Sequence, residues 1–186
     1  MGEVTKSDLV IRAKQGDVNA FSRLYEEVYR DLYRFAFYTL GHAEDAEDVV
    51  SDTVTDAFAS IHKLKHAEAF HGWIFKILSN KCKMVLKQYT KKNVSIDALS
   101  TQGENPLEVL TNAATEPFND DALSIYDIQN AFRTLSLDER IILSYTIFGG
   151  YNASETASMI RKNPGTVRSL KSRAIAKLQK TLHLEL

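Results

Sequence analysis

The stretch that decides the fold is GGYNASETASMIRKNPGTVRSLKSRAIAKLQKTL, residues 149–182. A short helix over about Ala153 to Ile160, a turn at Arg161-Lys162-Asn163 and a long second helix opened by Pro164-Gly165-Thr166-Val167 make a helix-turn-helix. Asn163 is placed to cap the second helix, with Pro164 at its first position, where a missing backbone N–H costs nothing. From Ala157 to Leu184 there is no acid but seven bases: Arg161, Lys162, Arg168, Lys171, Arg173, Lys177 and Lys180. A helix pair with a basic second member has the shape and charge to enter a DNA major groove.

Outward from that segment, charge is sorted into blocks. Glu44, Asp45, Glu47, Asp48, Asp52 and Asp56 follow one another with no lysine or arginine between Arg34 and Lys63. Between Glu68 and Asp97 the sign reverses, with Lys76, Lys81, Lys83, Lys87, Lys91 and Lys92 and no acid. From Asp97 to Asp127 there are seven acids and no base. Net charge is only −1 over 186 residues, so affinity for nucleic acid has to come from this sorting and not from bulk charge. Two basic surfaces separated by an acidic stretch suggest two DNA-facing modules joined by a linker.

Helical periodicity predicts helices near 6–15, 18–40, 44–62, 71–90, 122–134, 137–148, 153–161 and 164–182. Ser136-Leu137-Asp138-Glu139 is a capping-box pattern. Between residues 93 and 121 the periodicity fades, and Gly103, Asn105-Pro106, Glu116-Pro117 and Asn119-Asp120-Asp121 punctuate the chain. The expected fold class is therefore all-α: two small helical domains, 1–92 and 122–186, joined by a flexible acidic linker, 93–121. With 44% apolar residues each has material for a core. A single cysteine, Cys82, excludes an internal disulfide and fits a reducing cytoplasm. No apolar run approaches the ~20 residues needed to span a bilayer, and no signal peptide is evident.

Within helix 71–90, Lys76, Asn80, Lys83, Lys87 and Lys91 recur at steps of three or four and share one side. Ile74, Leu78, Cys82, Val85 and Tyr89 line roughly the other, which makes Cys82 a core residue. Trp73 falls beside the basic row, where an indole can stack on an unpaired base; the alternative is a solvated lysine face with a half-buried tryptophan. In the last helix Val167, Leu170, Ala174 and Leu178 form the packing stripe. Arg168, Ser169, Ser172 and Arg173 point away from it in the first turns, the part of a helix-turn-helix that meets base edges. Arginine can grip a guanine edge with two hydrogen bonds, whereas Lys177 suits a phosphate. His62 and His66 lie four residues apart with Glu68 and His71 near, a spacing able to hold zinc. No His-Glu-x-x-His pattern accompanies them, so no metal is expected.

These segments resemble a known family. Gly16-Asp17 to Ala20-Phe21, Leu24-Tyr25, Leu32-Tyr33-Arg34-Phe35-Ala36, Ala43-Glu44-Asp45-Ala46-Glu47-Asp48-Val49-Val50 and Trp73-Ile74-Phe75-Lys76-Ile77 with Asn80 look like region 2 of the extracytoplasmic-function (ECF, group IV) sigma factors of the sigma-70 family. Gly165-Thr166-Val167-Arg168-Ser169, Ser172-Arg173-Ala174 and Lys177-Leu178 are similar to the family's region 4 recognition helix. The resemblance implies a non-enzymatic, cytoplasmic subunit that binds core RNA polymerase and directs promoter recognition, without cofactor or small-molecule substrate.

It further implies roles for particular residues. Asp45, Glu47, Asp48 and Asp52 would dock on the clamp helices of the largest polymerase subunit, with the C-terminal module reaching the flap. Phe70 and Trp73, with the loop from about Lys63 to Gly72, would cap the flipped base of the −10 element. Lys76, Asn80, Lys83 and Lys87 would hold its upstream edge. Thr166, Arg168, Ser169, Lys171, Ser172, Arg173 and Lys177 would contact the −35 element. The acidic linker would thread toward the active centre. An anti-sigma factor is a further implied partner. The chain departs from the family pattern at Met84-Val85-Leu86-Lys87-Gln88, where an Asp-Tyr-Leu-Arg-Arg-like run is common, at Arg161-Lys162 in the turn, and at Lys171, where leucine is commoner. The rival from the residues alone is a stand-alone helix-turn-helix regulator that binds its operator without polymerase.

Overall fold

The computed structural model describes residues 5–91 and 125–184, all helix, turn and loop. Helices α1 (Lys6–Lys14), α2 (Val18–Leu40), α3 (Ala43–Ser60) and α4 (Phe70–Lys91) form the first half. Short 3₁₀ turns at Ile61–Lys63 and Ala67–Ala69 join α3 to α4. The second half is α5 (Ile125–Arg133), α6 (Leu137–Ile147), α7 (Ala153–Ile160) and α8 (Pro164–Thr181). The expected linker, residues 93–121, and the expected helix start at 122 lie outside the described residues.

Local chemistry sets most of these boundaries. Thr5 and Asp8 close a capping box at α1, and Asp17 accepts from the Ala20 amide to start α2. Gly41, at φ 83°, ends α2 in the left-handed conformation that glycine adopts without penalty. Ser136 and Glu139 form the expected capping box at α6, and Asn152 and Glu155 form another at α7. Asn163 caps α8 by accepting from the Gly165 amide at 2.8 Å.

Two helices are buried on nearly every side. From Leu32 to Leu40 all residues of α2 except Arg34 are buried, and in α6 every residue from Glu139 to Tyr145 is. A helix apolar around its circumference needs cover from all directions. The first half covers one side of α2, through α1, α3 and α4, and α6 covers another. α8 covers the far side of α6. The main core consequently runs without a break from Leu9 and Phe21 through Phe35, Phe70 and Leu78 to Phe132, Ile141, Tyr145 and Ala174. Sequence patterning led to two small helical domains joined by a linker, and the helices fit two such domains. Where they meet, the halves share one core, because the aromatic face of α2 is completed by residues more than a hundred positions later in the chain. Among the described residues, a small cluster of Ile142, Ala157 and Val167 belongs to the second half alone.

Some buried polar groups in this core find partners across the junction. Thr39 and Ser144, both inaccessible to solvent, share a hydrogen bond of 3.1 Å between hydroxyls. Gln129 and Arg133 both donate to the Gly41 carbonyl, at 2.7 and 3.1 Å. This satisfies an acceptor left over at the end of α2. Buried Arg140 staples the turn before α6 by donating to the Leu135 and Arg133 carbonyls.

Candidate nucleic-acid interface

Val167 and Ala174 fix α8 against α6 and α7, with no exposed surface of their own, and Leu170 and Leu178 add partly buried contacts. That packing turns Thr166, Arg168, Ser169, Ser172 and Arg173 to solvent as one surface on the first turns of the helix. Ser169 Oγ donates back to the Thr166 carbonyl at 3.0 Å. Lys171 is half-buried at the edge of the packed side, so its aliphatic stem packs and its ammonium reaches outward. Leu170 supplies the packing a leucine one place later would give.

One residue of this half behaves differently from its sequence reading. Lys177, expected to meet a phosphate, has its ammonium 2.9 and 2.8 Å from the two carboxylate oxygens of Glu139. Glu139 is only 4% exposed and also accepts from the Ser136 backbone N–H. Burial pushes the Glu139 carboxyl up, but the Lys177 and Ser136 hydrogen bonds outweigh it and hold the group below its ordinary value. Because the folded value is depressed, this ion pair contributes stability above the ordinary 4.5, and the contribution is lost as pH falls below it. Replacing Glu139 with glutamine is expected to cost about 1–3 kcal/mol near neutral pH. In acid titrations followed by helical ellipticity, E139Q should lack the part of the loss that wild type shows below pH 4.5.

Arg161 ends α7 at φ 56°, in the left-handed region. A residue with a Cβ pays roughly 1 kcal/mol there. Arg161→Gly is therefore expected to raise the unfolding free energy by up to about 1 kcal/mol, read as a higher denaturant midpoint. A lower midpoint would mean that the arginine contributes something its backbone strain conceals.

In the first half, α4 carries the lysine row. Ile74, Phe75, Leu78, Cys82 and Leu86 are buried, while Lys76, Asn80 and Lys87 are exposed. Cys82 has no exposed surface, and burial pushes its thiol far up, so it is an inert core residue. Lys83 is half-buried; burial and the nearby Lys162 ammonium lower its pKa against the opposing pull of Asp138. Those two neighbours are an ion pair of the second half, 2.9 Å apart.

Trp73 is half-buried and lines an open hollow of about 640 Å³ with Lys63, His66, Glu68, Gly72 and Lys76. Tyr151, Glu155, Ser158 and Met159 of the second half form the opposite wall. Phe70, expected beside Trp73 at a base-capping surface, is instead fully buried, with its ring 6.4 Å from Phe21 and 6.2 Å from Trp73. It is the first residue of α4, and its ring turns inward to close the core beneath the loop. Any part it has in holding a base is by supporting Trp73.

On α3, Glu47, Asp48 and Asp52 are exposed. Asp45 is half-buried and accepts from the Tyr89 hydroxyl at 2.6 Å. Lys81 lies 2.7 Å from Asp56 and 3.8 Å from Asp52. The acidic helix is thus cross-linked to α4 through Asp45, Asp52 and Asp56. Glu44 and Asp45 also sit in its first turn, where carboxylates complement the helix dipole. Tyr89 and Lys81 carried no sequence signal for this role, since a pairing between two helices has no fixed spacing. Of the candidate zinc ligands, His71 bonds the Tyr151 hydroxyl, and among the described residues no three of His, Cys, Asp and Glu gather where a metal ion could sit.

Known proteins match this arrangement. The Sigma-70 region 2 family model matches residues 24–92, from α2 through α4. The ECF RNA polymerase sigma factor BldN of Streptomyces coelicolor is 26% identical over 176 residues, which span 94% of this chain and 65% of that protein. For the ECF RNA polymerase sigma factor SigM of Mycobacterium tuberculosis the figures are 26% over 183 residues, 97% and 86%. Among solved structures, the sigma factor RpoE in complex with the anti-sigma factor NepR from Bartonella quintana superposes with a TM-score of 0.72 at 24% identity, covering 91% of this chain and 100% of that one. CnrH in complex with the cytosolic domain of CnrY gives 0.64 at 21%, covering 97% and 99%. These two likenesses are of fold. A matched region 2 built from an acidic helix against a lysine-faced one, and similarity to ECF sigma factors along nearly the whole length, are what the chain shares with the sigma-70 family.

Proposed function

We propose that the protein is a sigma factor of the group IV class that binds bacterial core RNA polymerase in the cytoplasm and directs it to a specific set of promoters. The observation that carries this is the coexistence, on one chain, of a matched region 2 and an exposed basic recognition surface on α8. Glu47, Asp48 and Asp52, with Asp45 where Tyr89 yields it, meet positive residues of the polymerase clamp helices. Trp73, Lys76, Asn80, Lys83 and Lys87 face the −10 strand, with Phe70 as the buried support. Thr166, Arg168, Ser169, Ser172 and Arg173 read the −35 duplex, Lys171 reaches it from the edge, and Lys177 reaches a phosphate only by leaving Glu139.

Catalysis of bond making stays with the polymerase. This subunit contributes binding energy: two weak readers held at a fixed spacing bind together far better than either alone. Capture of an unstacked base offsets an unpairing cost of a few kcal/mol and biases the duplex toward opening. The relatives crystallised with NepR and with CnrY support an anti-sigma factor as a further partner.

Gel-shift assays on promoter DNA with and without core polymerase test the reading. Specific binding is expected only in polymerase's presence. Tight sequence-specific binding by the free chain would instead establish a stand-alone regulator.

A further inference from the structure

Three tyrosines recur at steps of four on α2: Tyr25, Tyr29 and Tyr33. Residues four apart in a helix stand one above another, so the rings form a ladder along one side. Successive ring centroids are 5.4 and 6.4 Å apart. The ladder walls a groove of about 370 Å³ between α2 and α3. Val50 and Val54 of α3 line it as well, and so does the exposed Glu47. Glu47 is not among the carboxylates that α4 engages, which are Asp45, Asp52 and Asp56.

The chemistry of the groove selects its ligand. Each ring offers an electron-rich face, and Glu47 is the one charged group among the described lining residues, so an anion is repelled. Burial, then the Glu47 charge and Tyr29, push the Tyr33 hydroxyl up to about 12. Burial and Tyr29 push Tyr25 up to about 12. Both phenols therefore keep their protons at neutral pH. Tyr33 is 1% exposed, and its hydroxyl has no hydrogen-bond partner among the described residues. Buried hydroxyls are normally paired, so this oxygen is left to accept from a donor that enters the groove. A hard metal ion needs several oxygen ligands at once, which a single carboxylate does not supply. A weakly hydrated organic cation needs a ring face, one carboxylate and an apolar bed for its carbons, and the groove has all three.

We propose that the α2–α3 groove is a binding site for an alkylguanidinium cation, with the flat guanidinium stacked on Tyr29 and paired to Glu47 and its alkyl stem laid on Val50 and Val54. Planarity and weak hydration favour guanidinium over ammonium between rings and a carboxylate. The site belongs to the free chain and stands whether or not α3 docks on polymerase. The same group is carried by small molecules and by the arginines of a partner protein, and both present the groove with the same chemistry.

A titration tests the site directly. N-butylguanidinium added to the free full-length chain, followed by the tyrosine ring signals in NMR, should saturate with a Kd on the order of 1 mM. N-butylurea, of the same shape without the charge, should bind at least about tenfold more weakly. Glu47→Gln keeps the size of an exposed side chain and removes its charge, and Tyr29→Leu removes a half-buried ring. Each should weaken the guanidinium by about three- to tenfold. No saturation, equal binding of the urea, or binding that ignores both substitutions overturns the proposal.

Core polymerase then separates the two sources. Displacement of the bound probe by polymerase assigns the groove to an arginine of that partner, and retention of the probe in the complex assigns it to a free cation. Should the chain fail to bind polymerase at all, the functional reading falls, and the titration of the free chain still decides the guanidinium site.

Discussion

Replacing Tyr145 with alanine is expected to destabilise the protein by about 3–5 kcal/mol, the range for deleting a large ring from a packed core. Tyr145 is 1% exposed and sits where the two halves meet. Its ring contacts Phe35 at 5.0 Å and Tyr151 at 5.9 Å. Its removal leaves a hole bounded by aromatic rings on rigid helices, which cannot collapse to fill it. Tyr145→Phe separates packing from polarity. The hydroxyl bond to Phe75 is long, 3.4 Å, so that variant should lose at most about 1 kcal/mol. Equilibrium urea unfolding measures both. A loss below about 1 kcal/mol for Y145A would show that the halves do not share a core in solution.

The second large effect is expected at α8. Arg168→Ala and Arg173→Ala should each weaken promoter binding by the polymerase complex by about 1–3 kcal/mol and relax discrimination at one −35 position. Both guanidiniums are exposed on a helix fixed by Val167 and Ala174, so on the proposed reading truncation removes DNA contacts and spares the fold. Lys180→Ala is the control: near the end of the helix it can meet only phosphate, so its loss should weaken all sequences equally and flatten the salt dependence. Competition binding against single-base promoter variants reads the difference. Equal losses for arginine and lysine variants across all sequences would remove base reading from α8.

Much of the molecule is written in short-range chemistry. Ser136 with Glu139 and Asn163 with Pro164 announce helix starts that the structure places where the residues stand. The steps of three and four in α4 correctly separate Lys76, Asn80 and Lys87 from Ile74, Leu78 and Cys82. The positive φ at Arg161 follows from a turn that most chains fill with glycine. Each of these depends on neighbours within one helical turn, and a sequence displays such neighbours directly.

What the linear order hides is which faces meet. The sequence alone determined an all-α chain, the extent of its helices, a lysine-faced helix, an acidic one and a basic last helix. Only tertiary packing decided that Phe70 turns into the core, that Lys177 answers Glu139, that Tyr89 holds Asp45 and that Lys83 is half covered. It also decided that α2 and α6 share one aromatic core. A periodic pattern says that a helix has an apolar side, but a hydrophobic face fits many partners. The choice among them is made by shape and by paired polar groups such as Thr39 with Ser144, whose 105-residue separation no local rule can bridge.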